Sequence, residues 1–245
     1  MSLSRRLAHF VPLSEDEIVI LQDLEARRRS WRRHRDIMRE NTKCDVTYLV
    51  VEGFLMRWRL LPNGARQVIS IAIPGDIVDF PGSCFEPSLY SVTAVTDVVL
   101  SSIPHLDLVS LWKTCPSLAS KLFWSFAADA AICMEHLVDI GRRSARERVT
   151  RFLLEFYTRL QIVGHADDAS FLMPLTQEVI ADLLGLSVPH VNRTLRQLRE
   201  DDLIAIDEQR ITLKNREEMA ALSDFKERII RRFNFPGAVS DLAPL

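Results

Sequence analysis

The sequence predicts an α+β fold, in which a roll or barrel of short strands precedes a long helix and a helix-turn-helix with two short strands behind it. Three observations predict it. Apolar residues alternate with period two from Ile37 to Ile103, helical periodicity follows from Leu106 to Val163, and residues 175–206 follow a pattern of helix, tight turn and helix. The 245 residues are enough for one large or two modest domains.

Composition indicates an ordinary globular chain without a global basic field. Apolar residues make up 47%, charged residues 26%, and the formal net charge is -2. Any nucleic-acid surface must therefore be a local patch. The scattered cysteines form no C-x-x-C pair, which fits a reducing compartment. No run of 18 apolar residues and no signal-peptide core occur, so we expect a cytoplasmic protein with no membrane span.

The first predicted helix covers residues 14–26, and an arginine-rich stretch follows it. Ser14 and Glu17 have the spacing of a capping box. Six arginines then lie between Arg27 and Arg35. We interpret this stretch as a solvated edge strand with alternating exposure, since charge runs are usually solvated faces. A patch that binds anions or nucleic acid is the alternative interpretation.

Short strands are predicted for the next part of the chain. They cover residues 46–53, 54–61, 66–73, 76–80 and 90–103. Pro62-Asn63-Gly64 between two of them is typical of a hairpin, and Pro74-Gly75-Asp76 is typical of a turn. Many short strands at regular spacing indicate a roll or barrel.

A long helix is predicted for residues 116–140, with Pro116 in its first turn. One stripe along it consists of Leu118, Leu122, Ser125, Asp129, Ile132, Glu135 and Asp139, and a second apolar stripe consists of Phe123, Phe126, Ala130, Met134, Leu137 and Val138. Together with small Ala127 and Ala131, this indicates a helix that is both core and dimer seam. We expect a hinge and a domain boundary at Gly141. After it, Ser144 and Glu147 form a capping box, and residues 164–170 form a polar loop.

Residues 175–206 carry the most informative pattern. Thr176 is a helix N-cap, Gly185 suits a left-handed turn, and Ser187 caps a second helix that has Pro189 in its first turn. A small residue at Ala181, Gly185 four residues later and Val191 six residues further on have the spacing of a DNA-binding helix-turn-helix. The buried stripe of the second helix is expected to be Val191, Leu195 and Leu198.

The opposite face of this second helix is basic. It presents His190, Asn192, Arg193, Arg196 and Arg199 with no acidic residue between them. Arginine and asparagine make bidentate contacts with guanine and adenine in the major groove. Residues 203–207 and 210–215 predict two strands of a wing, where Arg210 and Lys214 could meet phosphates. A plain three-helix packing unit with surface arginines is the alternative interpretation.

From about residue 15 to residue 222 the sequence resembles the CRP/FNR family. The resemblance is carried by VTYLVVEGFLMRW, PNGARQVISIAIPGDIVDF and GLSVPHVNRTLRQLREDDLIAI, in that order. It implies a double-stranded β-helix (jelly-roll) sensor domain in residues 1–115, a dimerisation helix in 116–141 and a winged helix-turn-helix DNA-binding domain in 142–222. Residues 223–245 are left as a tail without an assigned role.

The resemblance also implies roles for individual side chains. Base-reading positions fall on Val188, Pro189, His190, Asn192 and Arg193, and phosphate-holding positions fall on Thr176, Gln177 and Ser187. Arg196, on the same basic face, completes the set of expected DNA contacts. Pro189 replaces the acidic residue that is usual in the family, which leaves the preferred base there open. Asp202 stands where relatives often have glycine, in a turn that aspartate tolerates.

Cyclic-nucleotide sensors of this family hold the ribose with a glutamate and the phosphate with an arginine. Here Phe80 falls at the glutamate position, and no lysine or arginine occurs between Gln67 and Trp112. An uncompensated buried phosphate costs several kcal/mol, so we expect that cyclic AMP is not the ligand. A titration that shows micromolar binding would overturn this expectation.

No cofactor is expected. An iron-sulfur cluster needs clustered thiolates near the N-terminus, and no cysteine precedes Cys44. Cys133 and His136 share a helix face but are too few to bind a metal, so we expect simple packing there. An unidentified small-molecule effector, a thiol switch at Cys44 or Cys84, and the absence of any ligand all remain open.

The partners implied by the resemblance are double-stranded DNA, a second copy of the chain and RNA polymerase. The sequence has no G-x-S-x-G, H-E-x-x-H, Walker or G-x-G-x-x-G pattern, so an enzyme is not expected. The alternative function is a module that binds a cyclic nucleotide or another small ligand and uses its helix-turn-helix for protein interaction. A steep loss of DNA binding with salt would discriminate the two functions.

Overall fold

The computed structural model describes residues 2–78 and 87–227. The helices are α1 (Ser2–Phe10), α2 (Glu15–Ala26), α3 (His105–Thr114), α4 (Pro116–Arg142), α5 (Ala145–Val163), α6 (Gln177–Leu184), α7 (Val188–Glu200) and α8 (Arg216–Ser223). The strands are β1 (Arg28–Trp31), β2 (Asp36–Met38), β3 (Val46–Glu52), β4 (Leu55–Leu60), β5 (Arg66–Ala72), β6 (Ile77–Val78), β7 (Ser91–Ala94), β8 (Val98–Pro104), β9 (Ser170–Leu172), β10 (Ile204–Asp207) and β11 (Arg210–Leu213).

The first eight strands form a roll of two antiparallel sheets, with orders β1-β8-β3-β6 and β2-β7-β4-β5. Alternate residues of both sheets fill the space between them, among them Val50 and Leu100 from one sheet and Leu55 and Val92 from the other. The expected double-stranded roll is therefore confirmed. The predicted hairpin at residues 62–64 is confirmed as well, with Gly64 at φ +83°.

Several local predictions need correction. Residues 90–103 form two strands, β7 and β8, because a bend at Val95–Thr96 separates them. The three-residue strand β2 was not predicted, because so short a segment carries too little alternation. Among the described strands β1 lies at the edge of its sheet and pairs only with β8, as expected, but residues 28–30 are all exposed rather than alternating.

Helix α4 has two faces of different character. Leu118, Leu122, Ser125 and Asp139 of the first predicted stripe are buried, whereas Phe123, Met134, Leu137 and Val138 of the second stripe are exposed in the single chain. Gly141 lies inside the last turn of α4, and the chain leaves the helix at Arg143. The break between helices is therefore two residues later than predicted, because Asp139 still accepts the amide hydrogen of Arg143 and continues the helix past the glycine.

The C-terminal part packs α5, α6, α7 and α8 around one apolar core with a three-stranded sheet of order β10-β11-β9. The third strand, β9, begins at Ser170, the last residue of the predicted polar loop. Phe54 and Ile71 of the roll belong to the same core, so the roll and the C-terminal part are in apolar contact. Phe80, Cys84 and residues 228–245 of the tail lie outside the described residues.

Candidate nucleic-acid interface

The turn between α6 and α7 has the geometry that the sequence predicts. The hydroxyl of Thr176 accepts the amide hydrogen of Val179 at 3.3 Å and caps α6. Gly185 ends α6 in the left-handed region at φ +63°, and the Leu186 amide then donates to Ala181 O at 3.0 Å. Glycine adopts this conformation without the steric cost that a Cβ would bring. The turn therefore fixes the direction in which α7 leaves α6.

Helix α7 separates a buried face from a polar one. Val191 and Leu198 are fully buried and Leu195 is nearly so, as predicted. Asn192, Arg193 and Arg196 are exposed, and His190 is half-buried. No carboxylate in the described ranges forms an ion pair with Arg193, whereas Arg196 has a loose, exposed pair with Glu200 at 3.7 Å. The amide and guanidinium groups of the predicted base-reading set therefore point to solvent together.

The first turn of α7 is also open. Ser187 occupies the N-cap position, as predicted, but its side chain makes no capping hydrogen bond. Ser187, Val188 and Pro189 are exposed, as are Thr176 and Gln177 at the start of α6. The first turn of α7 contains no acidic residue, so its free amide hydrogens and the helix dipole favour an anion such as a phosphate.

The predicted wing is a hairpin of β10 and β11, with Glu208 in the left-handed region at φ +50°. Arg210 pairs with Asp167 at 2.8 Å, and Lys214 pairs with Asp202. All four side chains are largely exposed, and such pairs contribute little stability. Asp202 has φ +55°, so aspartate does adopt the turn conformation that the sequence analysis assigned to it.

Comparisons with known proteins agree with this geometry. Residues 28–115 match the model of the cyclic nucleotide-binding domain, and residues 147–222 match that of the Crp-like helix-turn-helix domain. The chain is 31% identical over 169 residues to the transcriptional activatory protein AadR of Rhodopseudomonas palustris, covering 68% of this chain and 69% of that relative. It is 31% identical over 182 residues to the nitrogen fixation regulation protein FixK of Bradyrhizobium diazoefficiens, covering 73% and 76%.

The chain belongs to the CRP/FNR family. Its fold is that of the solved structure of FixK2 from Bradyrhizobium japonicum, with a TM-score of 0.70 and 27% identity over 80% of this chain and 96% of that one. Members of this family are DNA-binding transcription regulators, and this chain is one of them. Within the described ranges, no helix is both long and apolar enough to cross a membrane.

Two contacts that position the helix-turn-helix of this CRP/FNR regulator escaped the sequence analysis. The guanidinium of Arg148 on α5 donates to Ile140 O and to Leu184 O, at 2.8 and 3.1 Å, and so ties the end of α4 to the end of α6. From the roll, Arg66 pairs with Asp182 of α6 at 2.7 Å. Only the folded chain brings these residues together, so no sequence pattern could have indicated them.

The sequence analysis also left out Gln197, which is exposed one turn after Arg193. Its spacing on α7 could have placed it on the same polar face.

A cavity lies between the roll, α4 and α5, where the sequence analysis expected no cation. Its lining includes Arg57, Asp129, Cys133, His136 and Arg159. The stretch from Gln67 to Trp112 does lack cations, but β4 and α5 supply them from elsewhere. The lack of cations in that stretch therefore does not by itself exclude cyclic AMP from this cavity, because Arg57 and Arg159 line it. The family match of residues 28–115 names the domain and not its ligand.

The expectation of simple packing at His136 is wrong. His136 Nε2 on α4 lies 2.6 Å from Glu155 Oε2 on α5, and both side chains are nearly buried. Burial lowers the pKa of His136, but the charge and hydrogen bond of Glu155 outweigh it, so this pKa lies above its ordinary value. Burial raises the pKa of Glu155, but His136 and Arg159 outweigh it, so that pKa is lowered. The neighbouring Cys133 thiol has a pKa raised by burial, which makes it a poor nucleophile.

This pair predicts a loss of stability as pH rises. A histidine whose pKa is raised on folding stabilises the fold fully below the unfolded pKa of about 6.5, and the contribution disappears as pH rises through the folded pKa. Denaturant unfolding should therefore show a free energy that falls from pH 6 towards neutral and mildly alkaline pH. In His136→Gln, the free energy of unfolding at pH 6 should be lower by about 1–3 kcal/mol than in the unsubstituted chain. The decrease of this free energy with rising pH should be mostly absent in the variant. A slope that is the same in the variant would assign the titration to another group.

Proposed function

We propose that the chain binds an inverted-repeat operator as a homodimer. Each subunit places α7 in a major groove, and the half-sites lie about one helical turn, or about 34–36 Å, apart. The observation that carries the proposal is the outward face of α7, where Asn192 and Arg193 lie exposed opposite buried Val191 and Leu198. In this assignment Val188, Pro189, His190, Asn192 and Arg193 meet base edges, and Thr176, Gln177, Ser187 and Arg196 meet phosphates or the flanks of the site.

The proposed dimer seam is the exposed stripe of α4. Phe123, Ala127, Ala130, Met134 and Leu137 are spaced alternately four and three residues apart. This spacing is that of the core positions of a coiled coil. Phe123, Met134 and Leu137 are 61, 66 and 72% exposed in the single chain, which is costly for large apolar side chains unless a second copy covers them. A two-fold pair of these helices supports two α7 helices related by the same symmetry.

The remaining parts of the proposal concern partners and location. A regulator bound next to a promoter acts on RNA polymerase, and a cytoplasmic location follows from action on DNA. A small-molecule effector, if there is one, would act by shifting the joint between α4 and α5 and so the spacing of the two α7 helices. We do not assign cyclic AMP to this role, since Arg159 already pairs with Asp76 and Glu155 at 2.6 and 3.3 Å, and Arg57 donates to Ser70 Oγ at 3.2 Å and lies over the Tyr90 ring.

Selection of bound sequences from a random DNA pool, followed by gel-shift assays over a range of salt, tests this function. We expect an inverted repeat to emerge and its affinity to fall by orders of magnitude between 50 and 200 mM salt, because phosphate contacts release counterions. A selected motif without two-fold symmetry would contradict the dimer arrangement. If no sequence is enriched and weak binding is insensitive to salt, the helix-turn-helix serves protein interaction instead.

A further inference from the structure

Helix α1 is seated in a crevice between the roll, α4 and α5. Leu3 and Leu7 are each 1% exposed, and Phe10 is 8% exposed. The turn after β5 is shaped to receive the start of this helix. Gly75 has φ +93°, and a Cβ there would lie 2.9 Å from the backbone of Ser2. Backbone therefore meets backbone at this point, which leaves no room for a side chain between them.

Arg6 carries a cation into the bottom of this crevice. It is 7% exposed, and its guanidinium donates one N–H to Asp76 of the turn after β5 and another to Asp129 Oδ1 of α4, the latter at 2.5 Å. Its neighbour Arg5 is exposed, and within the described part of the chain its side chain donates to the carbonyl of Val163, at 3.3 Å, and to no carboxylate. The two arginines therefore provide a matched pair, one inside the crevice and one outside it.

Arg6 is one link in a chain of alternating charges that joins four elements. Asp76 also accepts a hydrogen bond from Arg159 of α5 at 2.6 Å. Arg159 contacts Glu155 at 3.3 Å, and Glu155 contacts His136 of α4 at 2.6 Å. In order, the chain is Asp129, Arg6, Asp76, Arg159, Glu155 and His136, whose charges sum to zero when the histidine is protonated. Without Arg6, this row of charged side chains has one uncompensated negative charge, and most of its members are out of contact with water.

We propose that α1 is a tethered ligand, whose Arg6 guanidinium fills a guanidinium-binding slot formed by Asp76 and Asp129. The slot selects this cation by shape as well as by charge. A planar guanidinium presents N–H groups in a fixed fork that reaches two separate carboxylates, whereas an ammonium is a point charge. By filling the slot, α1 connects the roll to α4 and to α5, which is the first helix of the C-terminal part. The consequence for DNA binding rests on the function proposed above, but the existence of the slot does not.

Chemical rescue of the full-length Arg6→Ala variant tests the slot. We expect its melting temperature to be about 5–15 °C below that of the unsubstituted chain, because one partner of a buried ion network is removed. Methylguanidinium at about 10 mM should restore much of the loss, whereas methylammonium at the same concentration should not, since only a ligand of the folded slot stabilises by mass action. Arg5→Ala should melt close to the unsubstituted chain and should not respond to either compound.

A second variant covers the case in which Arg6→Ala does not fold. Arg6→Lys keeps the charge, and we expect a smaller loss of melting temperature that methylguanidinium does not reverse, because the tethered ammonium, unlike free methylammonium, is held at the slot at a high effective concentration. Rescue of Arg6→Ala by both cations, or by neither, would overturn the proposal, as would equal melting of Arg6→Ala and Arg5→Ala.

Operator binding tests the coupling separately. Affinity of Arg6→Ala for the selected operator should fall at least about fivefold and recover over the same range of methylguanidinium as the melting temperature. Unchanged affinity would overturn the coupling of the slot to DNA binding. If the unsubstituted chain bound no DNA, the proposed function would fail, while the melting experiment would still decide whether the slot exists.

Discussion

Replacing Arg193 by alanine is expected to weaken operator binding by about 1–3 kcal/mol per half-site, which is about 5- to 150-fold, and to relax discrimination at one base pair of each half-site. The physical reason is the loss of a bidentate contact to a base edge, which no other exposed side chain at that place on α7 can replace. Arg193 is exposed and has no ion pair within the described ranges, so the melting temperature should not change. The measurement is a gel shift on the selected operator and on its single-base variants.

Arg199→Ala is the matched control for this experiment. Arg199 is exposed on the same helix but lies near its C-terminal end, away from the turn that enters the groove. Its loss should weaken binding to all sequences by a similar, smaller factor and reduce the salt dependence. If Arg193→Ala also weakened all sequences equally, Arg193 would be a phosphate contact, and its assignment as a base reader would be wrong.

Replacing Leu137 by glutamate is expected to remove the dimer itself. In a two-fold seam the two new carboxylates would be buried near each other without partners, at a cost of about 3–5 kcal/mol or more. Sedimentation equilibrium should then show monomers at concentrations where the unsubstituted chain is dimeric. Operator affinity should fall by more than about a hundredfold, since one half-site alone supplies only part of the binding energy.

Leu106→Glu separates the seam from a general effect of surface charge. Leu106 on α3 is 80% exposed, more than the 72% of Leu137, so its substitution is at least as easily tolerated by the single chain. We expect this variant to remain dimeric and to bind the operator normally. A dimeric Leu137→Glu variant with full affinity would place the subunit interface elsewhere and remove the support for a seam along α4.

Sequence reasoning succeeded at the helix caps, at the turns and on the faces of α7, where one or two turns of chain decide the outcome, but it did not predict α1 or α8. The capping boxes at Ser14 and Ser144 form as predicted, because donor and acceptor are three residues apart. Gly185 and the faces of α7 follow from backbone sterics and from the period of the helix. The strand pattern of the roll was readable for the same reason, since its alternation is a local property. Short β2 and β9 were missed because three residues carry too little of that alternation.

What the amino-acid sequence by itself determined is the order of elements and which side chains of α7 point away from its core. Tertiary structure alone decided what surrounds the charged groups, because their partners lie far apart in the chain. Arg6 meets Asp76 across 70 residues, and Arg66 meets Asp182 across 116. Arg57 of β4 and Arg159 of α5 line one cavity, although the part of its lining between Ser70 and Ile77 contains no cation. An ion pair leaves no periodic trace in a sequence, since it needs only proximity in space, and proximity is what folding supplies.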